Sequence, residues 1–136
     1  MPGSAAARDL LRRLAEVMGG AASAQSKLNQ VVRLIAAALD AEVCSIYLKR
    51  DGWFELFATR GLAQEAVHVT RLAQGEGLVG HIAQTRLPLN LADARGHPAF
   101  AYRPETGEDL FRSFAGVPIV RAEQAVGVLV VQHLED

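Results

Sequence analysis

The stretch GEGLVGHIAQTRLPLNLADA, residues 75–94, places a cluster of glycines directly before a short helix-like run and a strand-like run. Gly75, Gly77 and Gly80 are three glycines in six residues, and glycine lets the backbone turn sharply and approach a neighbouring element closely. We therefore expect a sharp turn into a short helix, which Gly80 allows to lie close to a sheet. The N-terminus of that helix would present free N–H groups, which suit a carboxylate or another anion.

The glycine cluster does not have the pattern of a nucleotide-binding loop. A phosphate loop needs a Lys-Ser/Thr pair directly after the glycines, and His81-Ile82 stand there instead. A dinucleotide fingerprint needs a parallel βαβ unit followed by an acidic residue about 20 residues on. Asp93 lies near that distance, but the strands around it are joined in an antiparallel order. The sequence therefore argues against nucleotide binding of either type.

Length and composition indicate one domain with its own hydrophobic core. The chain has 136 residues, 50% of them hydrophobic, so it should fold without disulfides or metal. Fourteen basic side chains against 15 acidic ones give a net charge of −1, so no nucleic-acid partner is expected. No apolar run approaches the roughly 20 residues that cross a bilayer, so no membrane partner is expected either. Cys44, the only cysteine, cannot form an internal disulfide, which predicts a cytoplasmic location.

Two amphipathic helices are predicted before the first strand. Apolar residues recur at helical spacing from Leu10 to Met18, and Gly19-Gly20 end that run. Ser23 is placed to cap a second helix. The apolar stripe of this second helix consists of Leu28, Val31, Val32, Ile35 and Leu39. Both stripes predict helices that pack against another layer.

Six strand-like runs follow the helices. EVCSIYLKR (42–50) and WFELFATR (53–60) flank the turn residues Asp51-Gly52 and predict a hairpin. The later runs are AVHVTRL (66–72), LPLNL (87–91), SFAGVPIVR (113–121) and AVGVLVVQHL (125–134). The last run is almost wholly apolar, which is typical of a central strand buried on both faces. Hairpin connections make the sheet mostly antiparallel, so the predicted fold class is α+β.

Several motifs in combination resemble a known family. GEGLVGHIAQTRLPLNLADARGHPAF, followed by FAGVPIV and AVGVLVVQ, resembles a GAF domain from about Leu10 onward. More narrowly, AEVCSIYL, ATRGL, EGLVG, PLNLADARGHPAF and FRSFAGVPIVR resemble the amino-terminal GAF domain of Enzyme I of the nitrogen phosphotransferase system. That enzyme is a phosphoenolpyruvate-protein phosphotransferase. The GAF domain of NifA-type nitrogen regulators is a weaker resemblance.

The resemblance implies the GAF fold. This fold is a six-stranded, mostly antiparallel sheet with two long helices on one face and a short helix plus a loop roofing a pocket on the other. It implies a single GAF domain over residues 1–136, excised from the N-terminal part of a longer protein, with residues 1–22 forming the first helix and a linker. GAF domains often pair through their helices, so a homodimer is expected.

The resemblance also implies a regulatory sensor rather than an enzyme. The pocket would bind a small nitrogen metabolite, glutamine by resemblance, and would control autophosphorylation of downstream phosphotransferase domains that act with a phosphocarrier protein. The catalytic parts belong to the full-length transferase, so the phosphorylated histidine is none of His68, His81, His97 and His133. No cofactor is expected, and no metal, because none of these histidines shows ligand spacing to another histidine, cysteine or carboxylate.

The predicted site combines positions that match ligand-binding GAF domains with residues of suitable chemistry. The matching positions are Ser45, Thr59, Arg60, Leu78, Val79 and the segment 105–111, which includes Thr106 and Phe111. Ser45 and Thr59 are favoured, because a small hydroxyl on an otherwise apolar sheet face needs a partner.

A bound glutamine needs partners for its carboxylate, its ammonium and its side-chain amide. The candidates in that order are Arg60, Arg103 or Arg112; Asp93, Glu105 or Asp109; and Ser45, Thr59 or Thr106. Other roles remain open for several of them. Asp93 can hold its loop by an Asx-turn, His97-Pro98 can pack the loop, and Arg103 and Arg112 can form surface ion pairs.

Two other functions remain open. In the first, the domain binds no ligand and only dimerises the protein, and its pocket is filled by Phe100, Tyr102, Phe111 and Phe114. The second is methionine sulfoxide reduction, with Cys44 as nucleophile. The position of Cys44 inside an apolar strand favours a buried structural thiol, and the sequence has no second cysteine to resolve a disulfide.

Overall fold

The computed structural model describes residues 4–93, 97–98 and 113–133. Two helices precede the sheet, and a third, shorter helix lies between its third and fourth strands. The elements are α1 (Ser4–Gly19), α2 (Ala24–Leu39), β1 (Val43–Arg50), β2 (Trp53–Arg60), β3 (Arg71–Ala73), α3 (Gly77–Thr85), β4 (Leu89–Leu91), β5 (Ser113–Arg121) and β6 (Gln124–His133). The strands form one antiparallel sheet in the order β3-β2-β1-β6-β5-β4. The predicted α+β class and the central position of the last strand are confirmed.

The second helix begins and ends as local chemistry requires. The Ser23 hydroxyl accepts a hydrogen bond from the backbone N–H of Ser26 at 3.2 Å, which confirms the predicted N-cap. The helix ends at Asp40, whose left-handed backbone (φ 51°) turns its N–H back to the carbonyls of the last turn. Val31, Val32 and Ala36 of α2 are buried against the sheet, whereas α1 has no buried residue and packs on α2.

The sheet separates two hydrophobic clusters. On the face covered by α2, which we call the helix face, Cys44, Ile46 and Ala58 pack with the α2 stripe. On the opposite face, which we call the roof face, Leu78, Val79 and Ile82 of α3 pack with Val43, Tyr47 and other strand residues. This division follows from the alternation of side chains along β1 and confirms that the two long helices share one face. In the described ranges no helix is long and apolar enough to span a membrane.

The glycine cluster lets α3 approach the sheet closely. Gly75 and Gly77 have φ values of 88° and 67°, which L-residues rarely adopt. A Cβ atom on Gly80 would lie 2.3 Å from the backbone oxygen of Ala73, the last residue of β3. The Gly75 N–H also donates to the Gly80 carbonyl at 2.8 Å. The expected role of Gly80 is therefore confirmed.

The predicted third strand, 66–72, is wrong in most of its length. Residues 64–66 form a 3₁₀ turn, His68 has a left-handed backbone (φ 65°), and only Arg71–Ala73 pair with β2. The predicted strand 87–91 is likewise shorter, since pairing begins at Leu89, after Pro88. The alternation in AVHVTRL was a poor guide because contacts with distant residues fix the backbone of this segment.

Those contacts centre on the carboxylate of Glu55, whose side chain is only 3% exposed on β2. His68 donates from Nδ1 to Glu55 Oε2 at 2.8 Å, and Arg71 donates from Nε to Oε1 at 3.2 Å. Arg50 adds an ion pair at 3.6 Å. The second ring nitrogen of His68 lies 2.7 Å from Gln25 Oε1 on α2. Hydrogen bonds of His68 thus link the segment after the 3₁₀ turn to both β2 and α2.

Electrostatics keep Glu55 ionised despite its burial. Burial by itself raises the pKa of this carboxyl. The hydrogen bond from His68 and the charges of Arg50 and Arg71 together outweigh burial, so the pKa of Glu55 lies below its ordinary value. A lowered pKa means that ionised Glu55 stabilises the fold above the ordinary glutamate pKa, and that this stabilisation is lost as the pH falls through the folded pKa.

Replacing Gly80 by alanine should destabilise the fold by about 1–3 kcal/mol, because the new methyl group meets backbone atoms that cannot rotate away. Chemical denaturation monitored by circular dichroism measures the change. Gly19→Ala is the matched control, since a Cβ there meets nothing within 4 Å, and its stability should be unchanged or slightly raised. Equal stabilities for the two variants would contradict the close approach of α3.

Glu55→Gln should lower the free energy of unfolding by about 1–2 kcal/mol at neutral pH, a modest loss because the basic partners stay partly exposed to water. The difference from the unmodified chain should shrink as the pH falls below about 4.3. Urea titrations at several pH values across that range measure this difference in the free energy of unfolding. The exposed Glu65 of the 3₁₀ turn provides a control, Glu65→Gln, which should show no such pH dependence. A pH-independent difference for Glu55→Gln would show that its charge does not stabilise the fold.

Candidate functional site

Two buried hydroxyls meet on the roof face at the centre of the sheet. Ser45 on β1 is directly opposite Thr59 on β2, and their oxygens lie 2.8 Å apart. Ser45 is 0% exposed and Thr59 is 6% exposed. Thr59 Oγ1 also accepts a weaker hydrogen bond from the backbone N–H of Leu62 at 3.4 Å. The two residues favoured from sequence thus form one polar contact within a largely apolar face.

This hydroxyl pair retains a hydrogen-bond donor. Each hydroxyl carries one proton, and only one of the two protons can lie in the bond between the oxygens. Within the described part of the chain, neither Ser45 nor Thr59 donates to any other acceptor. One of the two protons is therefore not used in a hydrogen bond within the described residues.

The row of residues that contains the hydroxyl pair becomes apolar toward β5. Ser45 lies opposite Val130, and Val130 lies opposite Gly116. A Cβ atom on Gly116 would lie 2.6 Å from Ile82 Cδ1 and 2.9 Å from Phe114 Cε1. Ile82 and Phe114 therefore cover Gly116. Phe114 thus fills space on the roof face, as the ligand-free alternative requires of it, whereas Phe100, Tyr102 and Phe111 lie outside the described residues.

Gln132 is a third buried polar residue on the roof face, and the sequence interpretation missed it. It lies on β6 between Val43 of β1 and Phe114 of β5, two residues of the roof-face cluster, and it is 4% exposed. The signal was present in the sequence, because Gln132 is the only polar side chain between Ala125 and Gln132 in an otherwise apolar strand.

The other predicted site residues lie in different surroundings. Leu78 and Val79 are buried in the first turn of α3 as part of the roof-face core. Arg60 is exposed at the end of β2, opposite Cys44, and its Nη1 donates to the backbone oxygen of Glu42 at 3.4 Å. Its pairing with Cys44 directs it away from the face that holds Thr59. Asp93 is exposed just after β4.

The remaining predicted residues, Thr106, Phe111 and Arg112, lie outside the described residues, as do Arg103, Glu105 and Asp109. His97 is described, and its ring lies 5.4 Å from the ring of His81 on α3, measured between centroids. In the described ranges, no group of three or more histidine, cysteine, aspartate or glutamate side chains could hold a metal ion.

A separate groove of about 790 Å³ lies on the helix face, between the end of α2 and strands β4 to β6. Ile35, Leu39, Val117, Leu129 and Val131 are among the residues that line it. The groove is mainly apolar and lies across the sheet from Ser45 and Thr59. Asp40, Asn90 and His133 are the polar residues of its lining.

Cys44 lies on the helix face and is fully buried. Burial raises the pKa of its thiol to about 12, so the thiolate is scarce at neutral pH. The expected buried thiol is therefore confirmed. Its location, across the sheet from the hydroxyl pair, gives no support to a nucleophile for methionine sulfoxide reduction.

Cys44 should resist thiol reagents in the native chain at about pH 8. An aromatic disulfide reagent should release one equivalent of thiolate per chain only after a denaturant is added, because the sequence has one cysteine. Absorbance after mixing, with and without denaturant, measures the reaction. Rapid modification of the native chain would contradict the burial of this thiol.

Comparisons with known proteins agree with this architecture. A family model described as GAF domain matches residues 23–136. A phosphoenolpyruvate-dependent phosphotransferase system protein of Escherichia coli (strain K12) is 44% identical over 120 residues, covering 85% of this chain but only 16% of the relative. A Nif-specific regulatory protein of Azospirillum lipoferum is 32% identical over 127 residues, covering 90% of this chain and 20% of the relative.

A solved structure shows the same fold at considerable sequence identity. The GAF domain from a phosphoenolpyruvate-protein phosphotransferase of Coxiella burnetii has a TM-score of 0.86 and 39% sequence identity to this chain. The match covers 93% of this chain and 77% of the other. This agreement, together with the family match over residues 23–136, shows that the chain belongs to the GAF domain family.

Proposed function

We propose that this GAF domain is the regulatory sensor of a cytoplasmic phosphoenolpyruvate-protein phosphotransferase, and that it binds a small nitrogen metabolite, glutamine. The buried hydroxyl pair of Ser45 and Thr59, with one proton left to donate, is the observation that carries the proposal. The similarity to the Escherichia coli phosphotransferase system protein supports the proposal that the chain is part of a longer phosphotransferase. Occupancy of the site would control autophosphorylation of downstream domains, which act with a phosphocarrier protein.

Glutamine fits the chemistry of a partly polar, partly apolar face. The hydroxyl pair donates to one of its oxygens, and Leu78 and Val79 supply the apolar wall beneath its methylene groups. We propose Arg112 for the carboxylate and Asp93 for the ammonium, with Thr106 and Phe111 completing the site. Arg60 is left out of this assignment, because its pairing with Cys44 directs it to the other face of the sheet. The sequence motifs support this assignment, and site-directed variants must test it.

The two faces of the sheet offer a route from ligand to helices. On β1, Ser45 faces the roof side, while its neighbours Cys44 and Ile46 pack with Val32 and Ala36 of α2. Protein interiors are close-packed, so a displacement of the strand is passed to whatever packs on its other face. Binding at Ser45 would in this way alter the position of α2 and bias the domains that follow, as a shift between two populated states.

Isothermal titration of the chain with glutamine, glutamate and 2-oxoglutarate tests the proposal. We expect heat and a rise in the thermal midpoint with glutamine. The double variant Ser45→Ala/Thr59→Val removes both hydroxyls at similar volume, so it should stay folded and bind glutamine at least tenfold more weakly. Thr85→Val, at the exposed end of α3, is the control that should bind normally. Absence of heat and of thermal shift with every metabolite would refute sensing by this domain.

A ligand-free dimerisation module is the second candidate, and a specific observation favours it. Leu11 and Met18 on α1 are large apolar residues left exposed. A second copy that packs against α1 would bury them, which gives the expected homodimer. Light scattering would then show a dimer whose strength does not depend on metabolites. A GAF domain of a NifA-type transcriptional regulator, supported by the relative from Azospirillum lipoferum, would share this geometry.

A further inference from the structure

Gln132 occupies a position in the sheet where a polar side chain is unusual. It is on β6, the strand at the centre of the sheet, between β1 and β5. Its two cross-strand neighbours, Val43 and Phe114, both belong to the roof-face cluster, so the side chain lies on the same face as Ser45 and Thr59. The residue is 96% buried, since only 4% of it is exposed.

The amide of Gln132 has no hydrogen-bond partner among the residues that the structure describes. Leaving a buried amide unpaired destabilises a fold by about 1–3 kcal/mol, whereas an apolar residue here would continue the apolar strand without that penalty. In the same part of the chain, no fully enclosed polar side-chain atom is left unpaired. The unpaired amide of Gln132 must therefore border accessible space on the roof face.

The position of Gln132 relative to the hydroxyl pair suits a short ligand with polar groups at both ends. Gln132 lies opposite Val43, and Ser45 lies two residues further along β1 on the same face. Diagonal neighbours of this kind are about 7–8 Å apart in an antiparallel sheet. A small molecule that lies across the strands can reach the amide with one end and the hydroxyl pair with the other.

We propose that Gln132 binds the carboxamide of the ligand through a reciprocal pair of hydrogen bonds. Its Nε2 donates to the ligand's amide oxygen, and the ligand's –NH₂ group donates to Gln132 Oε1. The remaining proton of the Ser45–Thr59 pair is donated to the ligand's carboxylate. This inference rests on the proposed function and adds a selectivity: a carboxylate in place of the carboxamide would set two acceptor oxygens against Gln132 Oε1. Gln132 therefore favours glutamine over glutamate.

Titration of Gln132→Met with glutamine and glutamate tests the inference. Methionine has a similar shape without the amide, so we expect glutamine affinity to fall at least tenfold and the preference for glutamine over glutamate to disappear. The thermal midpoint should not fall, since the amide that is removed makes no hydrogen bond with the described residues. Gln124→Met, at the exposed start of the same strand, should leave binding and preference unchanged.

A second measurement on the unmodified chain does not depend on how the variant folds. Glutamine should shift the side-chain –NH₂ resonances of Gln132 in a nitrogen-15 spectrum, and glutamate should leave them in place. If the chain binds glutamine while Gln132→Met binds equally well or the Gln132 resonances do not move, the inference fails and the proposed function stands. If the unmodified chain binds no glutamine at all, both fail together.

Discussion

The antiparallel register of β1 against β6 determines which side chains face α2 and which face α3. Ser45 lies opposite Val130, and Cys44 lies opposite Val131. Because side chains alternate along a strand, a shift of one residue would place the thiol on the roof face and the hydroxyl among the α2 side chains. The packing of Cys44 on α2 and the placement of Ser45 on the roof face therefore depend on the same orientation of β1, and the β1–β2 register then sets Ser45 against Thr59.

The packing of α3 builds the other half of the site. Gly80 brings the helix against β3, and this approach places Ile82 over Gly116 beside Phe114. The roof face is consequently apolar on the β5 side and polar around Ser45 and Gln132. The candidate site and the packing on α2 share strand β1, because Ser45 faces the roof side while Cys44 and Ile46 pack on the helix face.

Local chemistry in the sequence predicted much of the fold. The hairpin at Asp51-Gly52, the cap at Ser23 and the close approach at Gly80 all depend on residues near one another in the chain. The strand over 66–72 was wrong because its backbone is set by His68 and its contacts with Glu55 and Gln25, which are distant in sequence and carry no local pattern.

The sequence predicted the candidate site only in part. Alternation along β1 put Ser45 on the roof face, and the hairpin register brought it to Thr59. Gln132 was missed because the rest of its strand is mostly apolar, and the whole run was interpreted as a buried core strand. The placement of Arg60 opposite Cys44 depends on the pairing register, which composition does not reveal.

The order of the strands in the sheet has a consequence for how the chain folds during synthesis. Among the described strands, β1, β2 and β3 form one half of the sheet, β4 and β5 belong to the other, and β6, which follows all of them in the sequence, joins the two halves. Until β6 emerges from the ribosome, β1 presents an unpaired and largely apolar edge, which is the kind of edge that promotes aggregation. Pairing of β1 with β6 becomes possible only once translation has passed His133.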